Sequence, residues 1–223
     1  MANVYTDLGD VIIPVQFGTA EDSGDLTNDS EAIYFSLKSS VETNWGASQF
    51  VIMNDNWDYV YKIPFDGTEW YCEEEEEYYF EEFSRDYCKL ATDIYAEAED
   101  AGVAPLFASM TVAGYSKNGF PIYIQPKAVS LNALYGEERE KYSATEDSIE
   151  KAKKIRETKI SKHEYIPFDN DWIANVLDFY GEEMLEKLLA FVENLHLNDF
   201  HTGNYGYSMS GKPVLFDYCG FYE

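Results

Sequence analysis

Leu195-His196-Leu197-Asn198-Asp199-Phe200-His201-Thr202-Gly203-Asn204 and, a short way on, Leu215-Phe216-Asp217-Tyr218-Cys219-Gly220 are the two stretches that organise this chain. The residues between them explain how they act together. Asn204-Tyr205-Gly206-Tyr207 and Pro213-Val214-Leu215-Phe216 have the composition of two short antiparallel strands around a turn at Ser210-Gly211-Lys212. Such a hairpin brings Asn204 and Asp217 to the same end. An amide oxygen and a carboxylate there form a hard-oxygen pair of the type magnesium prefers, with water filling the remaining positions. An isolated aspartate is more often a turn or helix cap; the spacing of the group favours the ligand reading.

Upstream, Met184, Leu185, Leu188, Leu189 and Val192 recur at helical spacing and deliver the chain to Asp199. An earlier helix carries Trp172, Ile173, Val176 and Leu177, with Asp169 or Asn170 as its cap and Gly181 as the break between the two. Residues 86–101 form a third predicted helix, with Leu90, Ile94, Tyr95 and Ala98 on one face and Gly102 as the stop. Residues 49–64 read as a hairpin with a turn at Asn54-Asp55-Asn56 and Lys62 on its second strand, and 106–115 with 120–125 as two more strands joined by Ser116-Lys117-Asn118-Gly119. Pro126 ends that sheet. Residues 18–30 read as loop, and the acid- and aromatic-rich stretch 72–82 as a solvated acidic face or a contact surface. Lys151, Lys153, Lys154, Arg156, Lys159 and Lys162 read as a solvated helix face.

The D-x-H-x-G-N core formed by Asp199, His201, Gly203 and Asn204, followed by Asp217, resembles the protein kinase-like superfamily, in particular its aminoglycoside phosphotransferase-like branch and small phage-encoded kinase-like proteins. Four fixed positions of this kind arise by chance in about one chain of this length in a thousand. The resemblance implies ATP and Mg2+ as cofactors, Asp199 as catalytic base, and Asn204 and Asp217 as metal ligands. It assigns Lys62, in Val60-Tyr61-Lys62-Ile63, to the nucleotide phosphates, and places Gly46, Ala47 and Ser48 in a phosphate-covering loop that lacks the family's usual run of glycines. Asp93 or Glu97 would supply the helix carboxylate that partners Lys62, with Asp93 chosen, and His201 would orient the loop or meet a phosphate. The implied fold is α+β: a compact two-lobed kinase-like structure with residues 1–125 as a mainly antiparallel amino-terminal lobe plus one helix, and 126–223 as a helical lobe. That second lobe is expected to be truncated, since only six residues follow Asp217. Leu197 and Asn198 stand where protein kinases have His-Arg, so control through an activation-loop phosphate is not supported.

Composition bounds the function. Forty-two acidic against 16 basic residues give a formal net charge of -26, which disfavours nucleic acid and anionic membranes and suits a basic protein partner. Cys72, Cys88 and Cys219 lack metal-like spacing, and no apolar run reaches bilayer length, so the expectation is a soluble cytoplasmic protein of a bacterium or phage-infected cell. The expected activity is phosphoryl transfer to a hydroxyl of a protein or small molecule, the acceptor held by residues 128–165. The rival readings are a pseudokinase acting as an interaction module and an acidic decoy mimicking nucleic acid.

Overall fold

A computed structural model describes residues 10–12, 34–36, 42–45, 48–53, 57–64, 67–72, 74–115, 121–158 and 168–219. Gly46, Ala47, Lys159, Lys162, the loop 18–30 and the turns 54–56 and 116–119 lie outside them. The fold is α+β, with antiparallel pairings in its sheets and five helices among the described residues. Contacts divide the chain into two units: Met1–Thr92 with Met110–Gln125, and Asp93–Ser109 with Pro126–Glu223.

The first unit is built on strands. β1 (Asp10–Ile12) pairs with β2 (Tyr34–Ser36). β3 (Glu42–Trp45), β4 (Gln49–Met53), β5 (Tyr59–Pro64), β8 (Thr111–Tyr115) and β9 (Pro121–Pro126) make a five-stranded sheet in the order β3-β4-β5-β9-β8. In β4, Phe50 and Ile52 are buried while Val51 and Met53 are half-exposed, the two-residue period of a strand with one face on the core. The hairpin over 49–64 is present, with Val51 opposite Lys62.

In this region one reading of the sequence gains a secondary structure and one is corrected. The stretch 72–82 is the turn and second strand of a separate two-stranded hairpin, β6 (Gly67–Cys72) with β7 (Glu77–Glu82). Strand pairing holds its acids where an isolated helix would stack like charges. The strand expected from 106 begins only at Thr111, because Pro105 sits in a 3-10 turn, Ala104–Leu106, whose geometry a strand cannot continue.

α1 (Tyr87–Asp100) buries Tyr87, Cys88, Ala91, Ile94 and Ala98 along one face. Asp86 caps it, accepting the Lys89 amide at 2.9 Å, and the Tyr123 hydroxyl donates to the other Asp86 oxygen at 2.7 Å. The helix ends as Gly102 expects: φ is +73°, the Val103 amide donates to the Ala98 carbonyl and the Gly102 amide to that of Glu99.

The second unit carries the remaining helices. α2 (Glu137–Glu140) is one short turn, and α3 (Glu146–Thr158) packs against α4 (Asn170–Tyr180). On α3 Lys151, Lys153 and Lys154 are exposed, Lys151 pairing with Glu182 and Lys153 with Glu150, whereas Arg156, expected on the same solvated face, is half-buried and donates to the Phe168 carbonyl at 2.6 Å. Asp169 caps α4 by accepting the Asp171 amide, and Gly181 (φ +83°) separates α4 from α5 (Glu182–Asn194). α4 buries Trp172, Ile173, Val176 and Leu177, and α5 buries Leu185, Leu188, Leu189 and Val192. A three-stranded sheet, β10 (Ala128–Ser130), β11 (Tyr205–Ser208) and β12 (Pro213–Leu215), completes the unit. β10 is an addition to the sequence reading, which ended the strands at Pro126. Among the described residues no helix is long and apolar enough to cross a membrane.

Candidate functional site

α5 hands the chain to the site through a tight stop. The Leu197 amide donates to the Val192 carbonyl and the His196 amide to that of Glu193, the same pair of bonds that closes α1, but here the left-handed position (φ +53°) is filled by His196. The next residues form a loop rather than a strand, and its anchor is Phe200. That ring is fully buried, 4.9 Å from Phe168, which in turn stacks on Trp172 at 4.7 Å and meets Tyr205 at 5.3 Å. With Phe200 turned inward, its neighbours Asp199 and His201 are held at the surface, half-buried and exposed respectively.

The loop closes on itself. The Asn204 amide donates to the His201 carbonyl at 2.9 Å, and the Gly203 amide to His201 Nδ1 at 3.0 Å. Because Nδ1 accepts, the neutral ring carries its proton on Nε2, which lies 3.9 Å from Asp199 Oδ1. Gly203 is required for this fold-back: a Cβ there would sit 2.7 Å from His201 Cε1. His201 thus orients the loop.

Asn204 is buried and joins the two stretches. Its Nδ2 donates to the Asp199 carbonyl at 2.8 Å, which leaves Oδ1 to accept or to ligate. Its own carbonyl accepts the amides of both Phe216 and Asp217 at 3.1 Å. β11 and β12 pair with Tyr205 opposite Leu215, so the hairpin does bring Asn204 and Asp217 to one end. Asp199 belongs to the same group electrostatically. Burial raises its carboxyl above the ordinary value and the charge of Asp217 raises it further, against the opposing effects of His201 and the Asn204 side chain. Two neighbouring carboxylates beside an amide oxygen suit a divalent cation. Among the described residues no three His, Cys, Asp or Glu side chains gather as a metal-holding group.

Lys62 lies on β5 in the first unit and is buried, with 5% of its surface exposed. Ser48 is buried just before β4, where Trp45 pairs with Phe50 across the hairpin; Gly46 and Ala47 are outside the described residues. Asp93 is an exposed residue of α1 and falls in the second unit, as do Asp199, Asn204 and Asp217.

Three supports of the loop were not foreseen from sequence. The Asn132 amide donates to the Thr202 carbonyl at 3.0 Å, and the Ser130 hydroxyl holds the Asn132 side chain at 2.6 Å. Phe168 seats Phe200. Gly206 lets β10 approach β11, and its carbonyl accepts the Trp172 indole N–H at 2.9 Å. Only the last carried a signal, a lone glycine between two strand tyrosines. No family model matches the chain, and no curated protein matches it.

Proposed function

We propose that the chain is a kinase-like phosphotransferase using ATP and Mg2+, its first unit corresponding to the amino-terminal lobe of that fold and its second to the helical lobe. The observation that carries the reading is the joining of Asp199, Asn204 and Asp217 at one end of the β11–β12 hairpin. The buried position of Lys62 on β5 supports it, since that is the strand on which the resemblance puts a phosphate-contacting lysine.

In this reading Asn204 Oδ1 and the Asp217 carboxylate would hold magnesium, whose charge would offset that of the phosphates. Asp199 accepts the proton of the acceptor hydroxyl as its oxygen forms a bond to the γ-phosphorus, and the bond from that phosphorus to the bridging oxygen breaks, releasing ADP. The half-buried position of Asp199 suits a base, because burial moves its carboxyl toward working pH. Asn204 Nδ2 and the buried Phe200 fix where the carboxylate starts. Lys62 is the residue that the resemblance would assign to the nucleotide phosphates.

The deciding experiment is Asp199→Asn, which keeps size and hydrogen-bonding reach but cannot take a proton as a carboxylate. ATP affinity should hold while phosphoryl transfer, autophosphorylation included, falls by about a hundredfold or more. Transfer at the original rate removes Asp199 from the mechanism. Absence of transfer from the unmodified protein to either protein or small-molecule hydroxyls, with ATP still bound, favours the pseudokinase.

A further inference from the structure

Beside the candidate loop stands a polar group that the loop itself does not use. Past β10 the chain makes a 3-10 turn, Leu131–Ala133, that buries Leu131 and leaves Asn132 exposed. The Asn132 amide donates to the Thr202 carbonyl at 3.0 Å, which ties the turn to the loop. Its side-chain oxygen accepts the Ser130 hydroxyl at 2.6 Å, and that bond sets which end of the carboxamide is nitrogen. The nitrogen borders Gly203. The Cβ that Gly203 lacks would lie 3.3 Å from Asn132 Nδ2 and 2.7 Å from His201 Cε1, so the two side chains flank one point of the loop. The Nε2 of the same imidazole is 3.9 Å from Asp199 Oδ1. Asn132, His201 and Asp199 thus follow one another along one stretch of the second unit.

Asn132 Nδ2 carries two N–H donors and, among the described residues, has no acceptor for either. Its orientation is already held by Ser130 and by the backbone bond to Thr202, so a ligand that accepts from it gains a hydrogen bond at little ordering cost. The surroundings indicate the kind of ligand. Asn132, Ala133, His201 and Thr202 are all exposed, so this flank of the loop is open surface, whereas small molecules bind where a concave site surrounds them. A polypeptide needs no such enclosure. It brings a carbonyl oxygen with every residue, and a net charge of -26 draws segments rich in lysine and arginine.

We propose that Asn132 is a substrate-binding residue for a protein acceptor: Nδ2 donates to a main-chain carbonyl of a lysine- and arginine-rich segment and so sets a neighbouring serine or threonine hydroxyl before Asp199. The assignment rests on the phosphotransferase reading and adds to it the class of acceptor and a residue that selects it. The phosphoryl group passes from ATP to that hydroxyl and the hydroxyl's proton to Asp199, as above, and Asn132 takes no part in bond breaking.

The test measures phosphoryl transfer by the full chain, with ATP and magnesium, to a random copolymer of lysine and serine and, separately, to glycerol. The copolymer should be the better acceptor. Asn132→Leu keeps the size of the side chain without its donor and should raise KM for the copolymer by about tenfold, the scale of one hydrogen bond. Its kcat, its KM for ATP and its melting temperature should match those of the unmodified protein, which a residue that only braces the loop would not allow. Asn132→Ala gives the same comparison should the leucine variant fold poorly. An unchanged KM for the copolymer, or a fall in kcat with a lowered melting temperature in both variants, would overturn the role of Asn132. Glycerol phosphorylated as readily as the copolymer would overturn the polypeptide class. Absence of transfer from the unmodified protein to either acceptor would overturn the phosphotransferase reading and this assignment with it, whereas the other failures leave that reading standing.

Discussion

Gly206 passes so close to Val129 that a Cβ on the glycine would lie 2.0 Å from the Val129 carbonyl oxygen. The obstacle is backbone held in the β10–β11 ladder, so it cannot swing aside as a side chain could. Gly206→Ala is expected to destabilise the protein by at least about 2 kcal/mol, the scale of overpacking in a well-filled core. A melting temperature equal to that of the unmodified protein would show that β10 gives way without cost.

His196 offers the opposite opportunity. It fills a left-handed position that costs an L-residue about 1–2 kcal/mol, in the same helix stop that α1 makes with Gly102. His196→Gly should stabilise the fold by about 0.5–1 kcal/mol, part of the relief being lost to the greater freedom of glycine in the unfolded chain. Denaturant unfolding measures it, and a loss of stability would mean that the imidazole makes a compensating contact.

Asp178 ties α4 to the start of α3. Burial pushes its carboxyl up, but hydrogen bonds from the Ser148 hydroxyl and from the Thr145 amide and hydroxyl together outweigh this and leave it below the ordinary value. A carboxyl lowered by folding contributes stability above its unfolded value, near pH 4, and loses it as pH falls through the folded one. Asp178→Asn should be less stable than the parent at pH 7, with the gap closing as the solution is acidified toward pH 2. A gap of constant size across that range would contradict the assignment.

The proposed metal and phosphate contacts can be separated by two substitutions. Asp217→Ala should abolish magnesium-dependent ATP binding while leaving thermal stability near that of the parent; unchanged affinity with magnesium present would sink the ligand role. Lys62→Met keeps an unbranched side chain in β5 and should cost about 1.5–3 kcal/mol of ATP affinity, the range for a hydrogen bond to a charged group. Normal ATP binding by this variant would make Lys62 a structural residue.

What could be read from the sequence was local. Phe50 and Ile52 alternate with less buried neighbours, α1 buries one face and stops at Gly102, and α4 and α5 lie between Asp169, Gly181 and Asp199, each decided by residues a few positions apart. The candidate loop was legible for the same reason: Asp199, His201, Gly203 and Asn204 sit within one turn of chain. The β6–β7 hairpin was missed because its acids and rings do not separate into an apolar and a polar face. The run from Leu106 to Met110 was read as strand because it is apolar; all of it but Ser109 is buried, and Phe107 meets Leu215 of the same unit through a single bridge. Asn132, Phe168 and Val129 support the loop and hairpin from far along the sequence, where no local pattern marks them.

The Tyr218 hydroxyl donates to the carbonyl of Ala108, 110 residues earlier, next to the bridge that sets Phe107 beside Leu215. Closing so long a loop costs entropy before the contact repays it, so the second unit should fold slowly for its helical content. During synthesis the helices can form as they emerge, but Phe107 and Ala108 have no strand to join until residues near 215 have left the ribosome. The two metal-ligand candidates would then be among the last groups to reach their places, and a partly made chain would lack the proposed nucleotide site.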